Sequence, residues 1–285
     1  MPSKRGKTAV ESVAATIDGI KQRALLQYTQ KEMEAQQMSL FDVAPWSDDQ
    51  RAMPNVFARS ALFTIRNKTA KREVRQSAVI FHAGKDSTLT YTGIELRAED
   101  DELVWQQVME YAKRLPVGQP VEFTLYELCT DLQWSINGRY YKKAEECLLR
   151  LKATAITATS ERLGRLEALS MIREFQIVAR GTKASRCQVL IDPKIVMVFA
   201  GQHYSKFQWE KYLELSPTAR RLFDYFATHR EPFPLKMEAF RLICGSDSDR
   251  PKKWREQTNK ACQELTDSGL VKTTFVAADT IYCER

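Results

Sequence analysis

Histidine is scarce in this chain. Only His82, His203 and His229 occur in 285 residues, far apart and in no H-E-x-x-H or H-x-H spacing. No metal-ligand set is therefore expected, and no cofactor. Six cysteines, at positions 129, 147, 187, 244, 262 and 283, include no C-x-x-C pair. Four fall inside apolar helical stripes, so buried, reduced thiols are the expectation. No G-x-x-x-x-G-K-[ST] phosphate loop is present, which argues against ATP hydrolysis. The adjacent Tyr140 and Tyr141 lack the histidine pair that a nicking enzyme places beside its nucleophile. The chain thus reads as a protein without catalytic residues. No apolar run approaches the roughly 18 residues of a membrane span, and the N-terminus is polar where a signal peptide would be apolar. A cytoplasmic protein with no membrane contact is expected.

What is abundant is charge of both signs, with a modest basic excess. Lys and Arg outnumber Asp and Glu by 43 to 36, a formal charge of +7, which favours a polyanionic partner such as nucleic acid. The length suits two ordinary domains.

Residues 1–55 carry few aromatics and end in the punctuation of Ser47-Asp48-Asp49-Gln50 and Met53-Pro54. They read as a mobile arm in which Val10, Val13, Ile17, Ile20 and Ala24 could form one amphipathic helix. Next come the β-type runs Leu62-Phe63-Thr64-Ile65, Ala78-Val79-Ile80-Phe81 and Leu89-Thr90-Tyr91. A helix follows over 100–115, with acidic residues in its first turn and Pro116 after its end. Val121-Glu122-Phe123-Thr124 predicts a strand, 125–134 a short helix, Ser135-Ile136-Asn137-Gly138 a turn and 139–153 a longer helix. β-type segments run from Ala155 through Val189-Leu190-Ile191. Helix, strand, helix, turn, helix and hairpin in that order make a winged helix.

The same order recurs without a gap at a shift of about 114 residues. Glu110-Tyr111 falls on Asp224-Tyr225, Pro120 on Pro234, Tyr126 and Leu128 on Phe240 and Leu242, Tyr140 on Trp254, and Leu151 and Ile156 on Leu265 and Leu270. The stripe Tyr140, Ala144, Cys147, Leu148, Leu151 corresponds to Trp254, Thr258, Ala261, Cys262, Leu265. The expected fold is therefore α+β: an arm over 1–55, a first winged-helix domain over 56–200 and a second over 201–285. Its second hairpin is expected over 270–283.

In a helix-turn-helix the second helix lies in the major groove of B-DNA with its early residues against base edges. The first such helix here carries Arg139, Lys142, Lys143, Arg150 and Lys152, and the second carries Arg250, Lys252, Lys253, Arg255, Gln257 and Lys260. Cations early in a helix oppose its macrodipole, a local cost that bound phosphates would offset. These eleven residues are the candidate DNA-binding set. Arg59, Arg66, Lys68, Lys71, Arg72 and Arg75 are further candidates for phosphate contacts beside the first domain.

With these residues in view, the sequence resembles the TrfA family of replication initiators from broad-host-range IncP plasmids, and is similar to its shorter form. The resemblance runs over the whole chain. In the arm, Gln37-Met38-Ser39-Leu40-Phe41 is similar to the Gln-Leu-Ser-Leu-Phe peptide that binds the bacterial sliding clamp, with Met38 in place of leucine. Such a peptide works by an amide hydrogen bond from Gln37 and by Leu40 and Phe41 entering an apolar cleft. The resemblance implies binding to direct repeats (iterons) in a plasmid origin, opening of adjacent A·T-rich DNA, recruitment of the host helicase and sliding clamp, and a monomer–dimer equilibrium. Single-stranded DNA is a further candidate ligand. The runner-up is a tandem winged-helix transcriptional repressor, which would bind inverted repeats as a symmetric dimer. A third reading is an adaptor acting through residues 1–55.

Overall fold

Thr124 and Glu127 close a reciprocal capping box, and Asn137 and Ser216 each cap a helix with a side-chain oxygen. These three local signals fix the start of helices around which the rest is built. The structure is a computed structural model describing residues 46–84, 87–116, 118–160, 164–199 and 203–285. In chain order the elements are β1 (Gln50–Pro54), α1 (Asn55–Ala58), β2 (Phe63–Thr64), β3 (Val74–Ile80), β4 (Ser87–Ile94), β5 (Leu96–Arg97), α2 (Asp101–Ala112), β6 (Val121–Phe123), α3 (Leu125–Asp131) and α4 (Gly138–Lys152). They continue as β7 (Ala155–Ser160), β8 (Gly164–Leu169), β9 (Glu174–Val178), β10 (Arg186–Leu190), α5 (Ile195–Phe199), β11 (Tyr204–Gln208), α6 (Trp209–Glu214), α7 (Pro217–Ala227), β12 (Leu235–Lys236), α8 (Met237–Ile243), α9 (Pro251–Asp267), β13 (Thr273–Ala277) and β14 (Thr280–Glu284). The fold is mixed α+β.

The internal repeat is visible as geometry. Helices α2, α3 and α4 correspond to α7, α8 and α9. The two three-stranded sheets share one topology, β6-β10-β9 in the first copy and β12-β14-β13 in the second. In each, the short strand between the first two helices pairs antiparallel with the last strand of the hairpin. The copies differ after the long helix. In the first, β7 and β8 intervene and join β3 and β4 in a separate four-stranded sheet, so the strand directly after α4 does not belong to the hairpin of that copy.

The expected arm ends earlier than residue 55. Trp46 is buried and its indole donates to Glu110 Oε2 at 2.8 Å. Arg51, also buried, donates to Gln107 Oε1 at 2.8 Å, and β1 pairs antiparallel with β11 from Gln50↔Gln208 to Pro54↔Tyr204. Gln-Arg-Ala-Met-Pro has no β-branched residue and shows no alternation, because its last four residues are all buried. Its strand character comes from its distant partner.

A division at 200/201 into two separately cored domains is likewise replaced by a shared interior. Trp105 of α2 meets Phe57, Phe63 and Phe199 at ring distances of 5.7, 6.3 and 6.4 Å. Arg221 of α7, fully buried, donates to Glu102 of α2 at 3.2 Å and to the carbonyls of Ala58 and Ser60 at 3.0 and 2.8 Å. The described residues from 46 onward fall in one compact unit. All six cysteines are free thiols and five are buried, Cys283 being half-buried.

Candidate nucleic-acid interface

Each long helix is seated by its apolar stripe. Ala144, Cys147, Leu148 and Leu151 of α4 are buried against α2 and α3. Trp254, Thr258, Ala261, Cys262 and Leu265 of α9 are buried, with the Trp254 ring 5.4 Å from Phe240 and its indole donating to the Met237 carbonyl. The opposite face of each helix looks outward. α4 begins at the Asn137 cap, whereas α9 begins at Pro251, whose fixed φ suits a first helical residue.

Neither α4 nor α9 has an acidic residue in its first turn; α7 lacks one too, while α2, α3, α6 and α8 each have at least one. Helices selected only for stability gain from acids at that end. The two helices instead place cations there: Arg139 and Lys142 on α4, and Arg250, Lys252 and Lys253 at the start of α9, are all exposed. Arg139, Arg250, Lys252 and Lys253 make no ion pair among the described residues. Lys142 and Lys260 reach Glu146 and Glu264 only at 3.9 and 3.8 Å, and Lys152 is exposed at the far end of α4. Beside the start of α4 lies an open cleft of about 520 Å³ where Lys68, Arg139, Lys142 and Lys143 stand with Thr69 and with the carboxylates of Glu99, Asp100 and Glu146. Beside the start of α9 lies one of about 560 Å³ where Arg250 and Lys253 stand with Asn67 and Gln257 and with the carboxylates of Asp247 and Asp249.

Four members of the expected set are differently engaged. Arg150 is a structural residue: its side chain is 13% exposed and its Nε lies 2.9 Å from Asp101. Asp101 and Asp100 also bind Arg72, at 2.6 and 2.9 Å. Burial, with the Asp100 carboxylate alongside, pushes Asp101 up to about 6. Although burial works against it, Arg72 holds Asp100 below the usual carboxylate range. Asp100, Asp101 and Cys147 lie close enough to suggest a cation site, but both carboxylates are already neutralised by guanidinium groups and burial pushes the Cys147 thiol up. Arg255 is ion-paired with Asp279 at the β13–β14 turn. Gln257 donates to Thr218 Oγ1 at 2.8 Å. Lys143 sits 4.3 Å over the Trp134 ring, held but still at the cleft.

Of the further phosphate candidates, Arg59 donates to Thr228 Oγ1 at 2.8 Å, Arg66 pairs with Glu73 and Asp247, Arg72 with the two aspartates, and Arg75 with Glu73 at 3.2 Å. Lys68 and Lys71 remain exposed and make no ion pair among the described residues. The sequence reading passed over the hairpin of the first copy: Lys183 and Arg186 are exposed at its turn, and Arg180 there binds Glu145 of α4 at 2.6 Å. The run Arg180-Gly181-Thr182-Lys183 carries that signal in the sequence. The expected clamp peptide, Gln37 to Phe41, lies outside the described residues, as does the amphipathic pattern from Val10 to Ala24.

The sequence profile of the family described as TrfA protein matches residues 4–285. This chain belongs to the TrfA family. It is 62% identical over all 285 residues to the plasmid replication initiator protein TrfA of Escherichia coli, covering 75% of that relative. This TrfA-family chain is accordingly a plasmid replication initiator. The fold is similar to domains 2 and 3 of RctB in two crystal structures. One, of selenomethionine derivatives, has a TM-score of 0.53 at 8% identity, covering 74% of this chain and 85% of that one. The other has a TM-score of 0.50 at 8% identity, covering 74% and 83%. Among the described residues, no helix of the TrfA-family chain is long and apolar enough to cross a membrane.

Proposed function

We propose that the two copies act as tandem winged helices, placing α4 and α9 in successive major-groove faces of double-stranded DNA so that one chain reads one direct repeat of a plasmid origin. The observation carrying this reading is the pair of exposed, acid-free first turns on two helices in equivalent positions of one compact unit. A two-helix reader on a single chain suits a non-palindromic site with its grooves about one helical turn apart. Arg139, Lys142, Lys143, Arg250, Lys252 and Lys253 are the foremost contacts. Lys152 and Lys260 lie further along the backbone, and the hairpin turn with Lys183 and Arg186 adds phosphate contacts.

In this reading the chain carries out no covalent chemistry. Opening of adjacent A·T-rich DNA draws on binding energy and on a recruited host helicase, in the cytoplasm where the plasmid replicates. Gln37 to Phe41 recruit the sliding clamp, and a monomer–dimer equilibrium sets the amount of active binder. A footprint on otherwise identical duplexes bearing direct or inverted repeats tests the assignment. Protection of each direct repeat by a monomer supports it, and preference for the inverted arrangement would point to a repressor.

A further inference from the structure

Two features of the interface are joined by a segment that neither helix explains. Residues 66–72 run from the turn ahead of α9 to the first turn of α2. At one end, Ile65 N donates to the Cys244 carbonyl at 3.0 Å and Arg66 binds Asp247 at 3.3 Å. At the other, Arg72 binds Asp100 and Asp101, the aspartates that also hold Arg150 of α4. The middle is fixed from below. Arg97, 3% exposed, donates to the carbonyls of Asn67 and Ala70, both at 2.9 Å, and the Asn67 side chain accepts from Thr69 N at 3.0 Å.

The segment is thus a rigid strap with its backbone carbonyls turned inward onto a buried guanidinium. Its outer side carries Lys68, Thr69 and Lys71, all exposed. Asn67 borders the cleft at the start of α9, and Lys68 with Thr69 borders the cleft at the start of α4. Lysines aimed at solvent, on a strap whose other cations are all spent on carboxylates, stand between the two reading helices.

We infer that Lys68 and Lys71 bind the phosphates of the DNA backbone where it crosses between the two grooves. The inference rests on the two-groove reading above. Both helices leave the backbone phosphates between the adjacent grooves uncovered. A preordered cationic strap can take them without the cost of ordering a loop. Its contribution is independent of sequence, because phosphate contacts fix register and carry no base information.

The test compares Lys68→Ala/Lys71→Ala with Lys252→Ala/Lys253→Ala in the full chain, by titration of cognate and unrelated duplexes over a range of salt. For the strap variant the inference expects equal fold-losses on both duplexes, and a slope of log K against log salt smaller by about 2. Methylphosphonates placed between the two grooves should weaken the wild type and leave the strap variant unaffected. If the α9 variant loses binding while the strap variant keeps both the wild-type slope and the methylphosphonate sensitivity, the inference is overturned and the two-groove reading stands. If neither variant loses binding, both fall.

Discussion

Arg221 and Glu102 face each other at 3.2 Å with no exposure to solvent, one from α7 and the other from α2. These are the equivalent helices of the two copies, so a buried ion pair locks together the modules whose third helices carry the exposed cations. Asp224 joins them at 2.9 Å from Arg221 and accepts from the Tyr212 hydroxyl at 3.0 Å. Fixed relative placement of α4 and α9 follows from this cluster rather than from a linker.

Removing the guanidinium should therefore be severe. Arg221→Met removes the buried partner of Glu102 and Asp224 and is expected to cost about 3–5 kcal/mol, read as a lower midpoint in urea unfolding. A variant as stable as the wild type would show that the cluster does not hold the copies together.

The same cluster sets a pH dependence. Burial, with Glu102 beside it, pushes Asp224 well above the usual carboxylate range, so this group takes up a proton on folding. Its contribution favours the folded state at low pH and is lost as pH rises from about 4 through the elevated folded value. Asp224→Asn, neutral at every pH and still able to accept from Tyr212, should flatten that decline. A stability profile that the substitution leaves unchanged between about pH 4 and 8 would speak against a protonated Asp224.

Arg150 separates structure from reading. Arg150→Ala should destabilise by about 1–3 kcal/mol through the lost bond to buried Asp101, which keeps only Arg72 as its guanidinium partner, while base preference, measured by competition between cognate and mutated duplexes, stays as in the wild type. A changed preference would return Arg150 to the DNA-contacting set.

The arm and the body should be separable. Leu40→Ala with Phe41→Ala is expected to abolish capture of purified sliding clamp on a sensor surface and to leave repeat binding intact. Retained capture would remove residues 37–41 from the clamp assignment.

The long helices and their buried stripes were legible in the sequence because an amphipathic helix writes its own period. α4 begins one residue before the expected position, and Trp254 and Leu265 point inward as the repeat required. The β1 strand was not legible, because Trp46, Arg51 and Met53 are buried by β11, α2 and other elements distant in sequence. Nor was the role of Arg150, which lies on a basic helix like its neighbours but one turn too far toward Asp101. The insertion of β7 and β8 was hidden for a related reason. A strand's sequence specifies alternation, not which sheet it joins. Lys68 and Lys71 were grouped with four arginines of identical charge, and only the positions of Thr228, Glu73, Asp247, Asp100 and Asp101 set the two lysines apart.

The central claim is that two helices of one chain occupy two successive major grooves, and interference by guanine N7 methylation tests it most directly. The account predicts two clusters of interfering guanines about one helical turn apart, one lost in Arg139→Ala/Lys142→Ala and the other in Lys252→Ala/Lys253→Ala. A single cluster, or the same cluster lost in both variants, would contradict it.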